Sequence, residues 1–248
     1  MDSLCHHQRH ASLQKERKTI KDIFNFIKKR KQLKFFSQLI EKGDLCFDIG
    51  ANIGSKTELF LSLGANVVAI EPQEYCHDIL CRKFADKAEV KIENSALGDS
   101  NCEKEMKISN ESQISTFSDQ FIEAYSFQSQ FSWNGREKVT MRTLDSLIEQ
   151  YGLPDFCKID VEGFEKEVLT ALSHPIPLLS IEFNYRLINL TLECLEIAAK
   201  FEPISLNYVH FEQPAFALKQ WVSLEEMKKV MQNLSPDVKT GDIYIRRQ

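Results

Sequence analysis

The chain predicts an α/β protein with a mostly parallel sheet and helices packed on both faces. Two observations carry that expectation. Short apolar runs ending in acidic residues alternate with helical patterns along most of its 248 residues. The first such run, Leu45–Ile49, passes straight into a turn bearing Gly50 and Gly54, a strand-to-helix turn suited to lying against a nucleotide-like ligand.

Taken in order, residues 13–42 read as one or two helices ending near Lys42-Gly43. The helix after the first strand runs over Ser55–Ser62, and Gly64 closes it. A second strand is Val67–Ile70, and Pro72 starts a turn before a helix over Tyr75–Ala85. A third strand covers Val90–Ile92, and partial alternation over 103–108 suggests another. Between Ser109 and Glu137 the pattern breaks: Ser, Gln and Asn dominate, yet Phe117, Phe121, Tyr125, Phe127, Phe131 and Trp133 are interspersed. Two roles are open to this segment. It is either a lid over a substrate pocket or an insertion whose aromatics seal it to the sheet. Strand Lys138–Met141 and helix Leu144–Tyr151 restore regularity, followed by a buried strand through Ile159 and a helix over Phe164–Leu172. Strand Leu178–Phe183, helix Leu190–Phe201, strand Ile204–Val209 and a last strand at Gly241–Ile245 complete the pattern.

Composition is that of an ordinary soluble globular protein, with 43% hydrophobic and 27% charged residues. No apolar run approaches membrane-spanning length, and the polar first residues lack the apolar core of a signal peptide. Seven scattered cysteines with no C-x-x-C pair argue against a disulfide framework or zinc knuckle, so a cytoplasmic location is expected. Charge is uneven. Residues 1–42 hold eleven Lys and Arg against four Asp and Glu, a formal +7, which leaves −12 for the rest of a chain whose total is −5. The basic segment combines Lys28-Lys29-Arg30-Lys31 with an apolar stripe of Ile20, Ile23, Phe24 and Ile27. It reads as a helix packing its stripe on the main domain, in preference to an arm for anionic lipid or nucleic acid. The acidic remainder makes a nucleic-acid partner unexpected. The sequence leaves the oligomeric state open.

The turn after the first strand identifies the cofactor class. Its pattern is D-x-G-x-N-x-G, with Asn52 where a dinucleotide fingerprint has its middle glycine and no third glycine. Asp48 would repel a diphosphate but suits a ligand carrying an amine and a sulfonium. Glu71, at the tip of the second strand, can accept the hydroxyl hydrogens of a ribose. These residues favour S-adenosylmethionine over NAD. Beyond them, Asp160, Glu162, Glu182 and Asn184 should gather at the same carboxyl edge of the sheet, where ligands of open α/β sheets bind.

Taken together, Asp48–Gly54, Glu71-Pro72, Ala96–Asp99, Ser115-Thr116, Thr143–Leu147, Lys158–Glu165 and Ile181-Glu182 resemble the successive motifs of FkbM-type S-adenosylmethionine-dependent methyltransferases. The resemblance runs from about residue 45 to the C-terminus. It implies a class I methyltransferase (Rossmann-like) fold with seven strands, the final one antiparallel. Residues 1–42, a basic N-terminal helical extension by their own pattern, are not covered by it and precede a methyltransferase domain, 43–248. The implied reaction is O-methylation of a hydroxyl on a sugar or other small polyhydroxylated molecule. By the same resemblance, Asp48, Gly50, Ala51, Asn52 and Gly54 would hold the methionine portion of the cofactor. Glu71 would take the ribose, and Ser95, Ala96 and Leu97 would flank the adenine. Phe164 departs from the small residue expected after Glu162-Gly163, and would narrow the pocket.

A hydroxyl acceptor must lose a proton, and Asp160 is the first candidate base, followed by Glu162, Glu182 and His210. Glu162 and Glu182 could instead pin loops by accepting backbone N–H groups. In a metal-assisted variant, Asp160, Glu182 and Asn184 would offer hard oxygen ligands to Mg²⁺. The alternatives to methyl transfer are an NAD-dependent oxidoreductase and a non-catalytic cofactor-binding protein that serves a partner.

Overall fold

The protein is described by a computed structural model over residues 25–201, 203–211 and 213–247. Ile20, Ile23 and Phe24 of the predicted stripe, together with residues 1–19, lie outside the described residues. Residues 25–36 form helix α1. The elements that follow are β1 (Leu45–Ile49), α2 (Ser55–Ser62), β2 (Asn66–Ile70), α3 (Glu74–Lys83), β3 (Val90–Glu93), β4 (Ala96–Leu97) and β5 (Cys102–Ile108). Helix α4 (Asp119–Tyr125), β6 (Gly135–Arg142), α5 (Leu144–Tyr151), β7 (Phe156–Ile159), α6 (Glu165–Thr170) and β8 (Leu178–Asn184) come next. The chain continues through α7 (Ile188–Ala198), β9 (Ile204–His210), α8 (Leu224–Gln232) and β10 (Thr240–Arg247).

The main sheet has seven strands in the order β3-β2-β1-β7-β8-β10-β9. All neighbouring pairs are parallel except those of β10, which runs antiparallel to both β8 and β9. This is the class I methyltransferase arrangement. The order reverses between β1 and β7, so the carboxyl ends of those strands open a crevice. Because β10 runs the other way, its first residues reach the edge where the parallel strands finish.

A second, three-stranded sheet was not anticipated. Strand β6 pairs with β4 in parallel and with β5 antiparallel, which gives the order β4-β6-β5. The strands expected at 103–108 and 138–141 thus pair with each other outside the main sheet. Met106, Val139 and Met141 turn inward to meet Phe164, while most of β5 faces solvent. Helix α8 is also additional, and it opens with a capping box between Ser223 and Glu226.

The strands β1, β7 and β8 are buried almost throughout, as expected of parallel strands covered on both faces. One side of the sheet packs on α1. Phe35 and Phe36 are buried with Phe60, Phe156 and Tyr244, Phe35 meeting Tyr244 and Phe36 meeting Phe60 edge to face. Lys29 forms an ion pair with Glu58 of α2. The described part of the helix thus packs through Phe35 and Phe36, whereas Ile27, the one described residue of the predicted stripe, is exposed together with Phe26. Among the described residues no helix is long and apolar enough to cross a membrane.

Candidate active site at the carboxyl edge of the sheet

Sheet register lines the site's side chains up in rows. Asp48 of β1 lies beside Lys158 of β7, and Lys158 beside Ser180 of β8. Two residues further along each chain come Gly50, Asp160 and Glu182, and Glu182 faces Asp242 of antiparallel β10. Side chains two apart on a strand share a face, so these rows form one polar wall. The wall bounds a cavity of ≈ 270 Å³. Of the nine cofactor positions expected from sequence, all but Gly54 line it, and so do Asp160, Glu162 and Glu182.

Gly50 and Gly54 have local reasons to be glycine. Gly50 has φ +79°, and a Cβ there would stand 1.8 Å from the carbonyl oxygen of Asp160. What needs the missing side chain is a neighbouring turn of the protein, not only a ligand. Gly54, φ +76°, caps α2, and a Cβ would strike the side chains of Phe84 and Leu80. It shapes the turn from behind the cavity wall. Asn52 takes φ +49°, a conformation Asn tolerates better than most residues.

At one end of the cavity Asp48 is 1% exposed. Its Oδ2 accepts the Thr57 hydroxyl at 2.6 Å, while Oδ1 is buried without a hydrogen-bond partner. Burial pushes the Asp48 carboxyl up from its ordinary range, and Lys158 and Thr57 oppose that shift. Glu71 accepts the backbone N–H of Asn52 at 2.8 Å and that of Gln73 at 2.9 Å. Burial still raises it to about 7. Two carboxylate oxygens offer about four acceptor positions, so Glu71 can take a further hydroxyl. The Ser95 hydroxyl is likewise buried and unpartnered. A buried orphan at Asp48, a second at Ser95 and Glu71 between them fit a ligand with a cationic amine, a ribose and a polar base.

At the other end, Asp160, Glu162 and Glu182 bring one carboxylate oxygen each within 4.8 Å of one another. Asp160 is held by Lys158, whose Nζ donates to Oδ2 at 2.5 Å. Lys158 is only 4% exposed. Burial alone would discharge it, but Asp160, Asp242 and Asp48 outweigh that effect and hold it firmly protonated. Among the described residues neither the Glu162 nor the Glu182 side chain makes a hydrogen bond or ion pair. Burial and the surrounding carboxylates push both well above the usual glutamate range. Sequence reasoning missed two charged members of this wall, Lys56 and Asp242. Burial lowers Lys56, opposed by Asp242, and raises Asp242, opposed by Lys158 and Lys56.

Several expectations are corrected. The loop after β7 is pinned not by Glu162 or Glu182 but by Glu165, whose Oε1 accepts the N–H groups of Val161 at 3.0 Å and Gly163 at 3.3 Å. Asn184 turns its amide to Tyr125, 2.9 Å away, and accepts the Arg186 N–H, so it does not join the acidic group. His210 does not line the cavity and meets the ring of Tyr208 edge-on. Phe164 does not narrow the cavity either, because it packs against Phe117 and the small sheet. Segment 109–137 packs on the rest of the protein and also lends residues to the cavity wall. Phe121 is buried and stacks on Tyr125, while Ser112, Gln113, Ser115 and Phe117 line the cavity.

Among solved structures, a precorrin-6y C5,15-methyltransferase from Geobacter metallireducens is 10% identical, with 88% of this chain and 87% of that chain covered and a TM-score of 0.47. A TehB-like SAM-dependent methyltransferase from Corynebacterium glutamicum is 12% identical, with 88% of each chain covered and a TM-score of 0.41. Fibrillarin from Aeropyrum pernix, with natively bound S-adenosyl-L-methionine, is 11% identical over 84% of this chain and 68% of that one, with a TM-score of 0.43. No curated protein matches the sequence. Residues 48–232 match the methyltransferase FkbM domain. That span starts at Asp48 and takes in Asp160, Glu162 and Glu182, and it sets aside the NAD-dependent reading. The chain belongs to the FkbM family and is an S-adenosylmethionine-dependent methyltransferase.

Proposed function

We propose that the protein methylates a hydroxyl oxygen of a sugar or another small polyhydroxylated molecule. The observation that carries this reading is the grouping of Asp160, Glu162 and Glu182 on the cavity wall, two of them without protein partners. Bound S-adenosylmethionine supplies a methyl group already activated by its sulfonium. The chain's own residues must then hold the acceptor in line, keep water out and remove the hydroxyl proton. Asp48, Asn52, Glu71 and Ser95 hold the cofactor. Lys158 fixes Asp160, leaving its free oxygen to accept a hydrogen bond from the acceptor. Glu182 takes the hydroxyl proton. Two carboxylates this close do not both ionise readily, so burial and mutual repulsion raise the Glu162–Glu182 pair and make it a stronger base than an ordinary glutamate. Neutral hydroxyl groups suit such a wall, because they can donate to several carboxylates at once.

A divalent cation shared by the three carboxylates is a second reading, favoured by their spacing. It would have to share Asp160 with the Lys158 ammonium. Full activity after EDTA treatment would remove it.

The test is incubation with methyl-labelled cofactor and fractionated glycans and polyols, with the product linkage assigned by NMR. Labelling found only on nitrogen or sulfur would defeat the proposal. Glu182→Gln should lower kcat by about a hundredfold or more and leave cofactor affinity unchanged.

A further inference from the structure

Ser115-Thr116 carries part of the family resemblance, yet the chemistry above gives Thr116 no role. Thr116 is fully buried. Its backbone is tied in both directions to Lys107, with N···O distances of 3.0 Å. The hydroxyl donates to the carbonyl oxygen of Glu162 at 2.7 Å and accepts the N–H of Ser118 at 2.9 Å. Its partner is unusual. Among the described residues only Asn52 and Glu162 have positive φ without being glycine, and Glu162 stands at φ +55°. Glutamate lacks the short polar side chain that lets Asn and Asp settle there, so the surroundings must impose the conformation. Gly163 follows at φ +87°, where Phe121 and Ser118 crowd its missing Cβ at 3.0 and 3.3 Å. The backbone turn that aims Glu162 is thus held by Thr116, Ser118 and Phe121 on one side and by Glu165 on the other.

We propose that Thr116 is a positioning residue: its hydroxyl, bound to the Glu162 carbonyl, keeps Glu162 left-handed and so brings its carboxylate to Glu182 and Asp160. This rests on the reading of those carboxylates as the acceptor site. Released from Thr116, residue 162 relaxes to negative φ and its Cβ swings off the acidic wall. Glu182 then loses its close neighbour, while Asp48, Glu71 and Ser95 stay in place.

The experiment compares crystal structures of the full-length wild type, Thr116→Val, which keeps shape and loses the hydroxyl, and Thr116→Ser. In Thr116→Val residue 162 should turn to negative φ and carry its carboxylate away from Glu182 and Asp160, and Thr116→Ser should restore the wild-type turn. Affinity for S-adenosylhomocysteine, measured by calorimetry, should stay within twofold in both variants. With an acceptor in hand, kcat/KM of Thr116→Val should fall about tenfold and recover in Thr116→Ser. A wild-type turn at residue 162 in Thr116→Val would overturn the proposal. So would the same displaced turn in the Ser variant, or a parallel loss of cofactor affinity, since either marks Thr116 as a general packing residue. The structures need no acceptor, so failure to find a methylated hydroxyl leaves their outcome readable.

Discussion

Gly50→Ala should be far more damaging than the addition of one carbon suggests. At φ +79° an alanine meets its own carbonyl, a strain of about 1–2 kcal/mol. The added methyl also lands 1.8 Å from the carbonyl oxygen of Asp160, which is backbone and cannot swing aside. The turn after β1 or the end of β7 must move, which costs roughly another 1–3 kcal/mol by comparison with overpacked cores. A total near 3 kcal/mol would lower Tm by roughly 6–12 °C for a domain of this size. Gly43→Ala is the control. Its φ is +97° but no atom lies within 4 Å of the added Cβ, so it carries the strain without the collision. That variant carries only the strain of about 1–2 kcal/mol and should lose roughly 2–8 °C. Thermal unfolding followed by circular dichroism on both proteins makes the comparison. A Gly50→Ala Tm within 3 °C, or about 1 kcal/mol, of the Gly43→Ala value would refute the claim that the two turns pack in backbone contact.

Lys158→Met leaves Asp48, Asp160 and Asp242 without their shared cation and should cost about 3–5 kcal/mol; urea unfolding should show part of that loss recovered in Lys158→Met/Asp160→Asn. Burial holds Glu71 near pH 7, and hydroxyl donors favour its ionised form, so affinity for S-adenosylhomocysteine should rise from pH 6 to 8 with proton release, read by calorimetry in buffers of different ionisation enthalpy. Glu165 is also raised to about 7 by burial, so its native state holds a proton that the unfolded chain has lost above pH 4.5. Its contribution to stability therefore falls as pH rises from about 4.5 through 7, and Glu165→Gln should flatten that part of a denaturation–pH profile. Phe211 is 64% exposed and lines the cavity, so Phe211→Ala should leave Tm unchanged and raise the KM of the acceptor severalfold, with cofactor affinity untouched.

The strand ends were readable from sequence because each is local: an apolar run, then an acid or glycine, in Leu45–Gly50, Val67–Glu71 and Phe156–Asp160. Parallel pairing brings such ends to one edge without further information. Lys158 and Asp160, two apart on one strand, could have been read as a same-face pair by that rule. Asp242 could not, because it stands at the start of a strand and reaches the site only through the reversed direction of β10. The small sheet escaped notice because β5 and β6 are polar on their open face and pair across about thirty residues. Helix α8 did carry a signal, Ser223 three residues before Glu226 with Leu224, Met227 and Met231 at helical spacing. The sequence ties Gly50 only to ligand approach, since its contact with Asp160, more than a hundred residues away, leaves no local trace.

Strand β10 has a consequence for synthesis in the cell. A ribosome delivers residues 240–247 after every other strand of the main sheet, yet their place is between β8 and β9, not at the rim. Until they emerge, β8 presents an unpaired edge along Leu178-Leu179-Ser180-Ile181-Glu182-Phe183, a segment almost wholly buried when folded. The nascent chain thus carries an adhesive strand through the translation of about sixty residues, and Glu182 is the charge within it that discourages pairing with a neighbour.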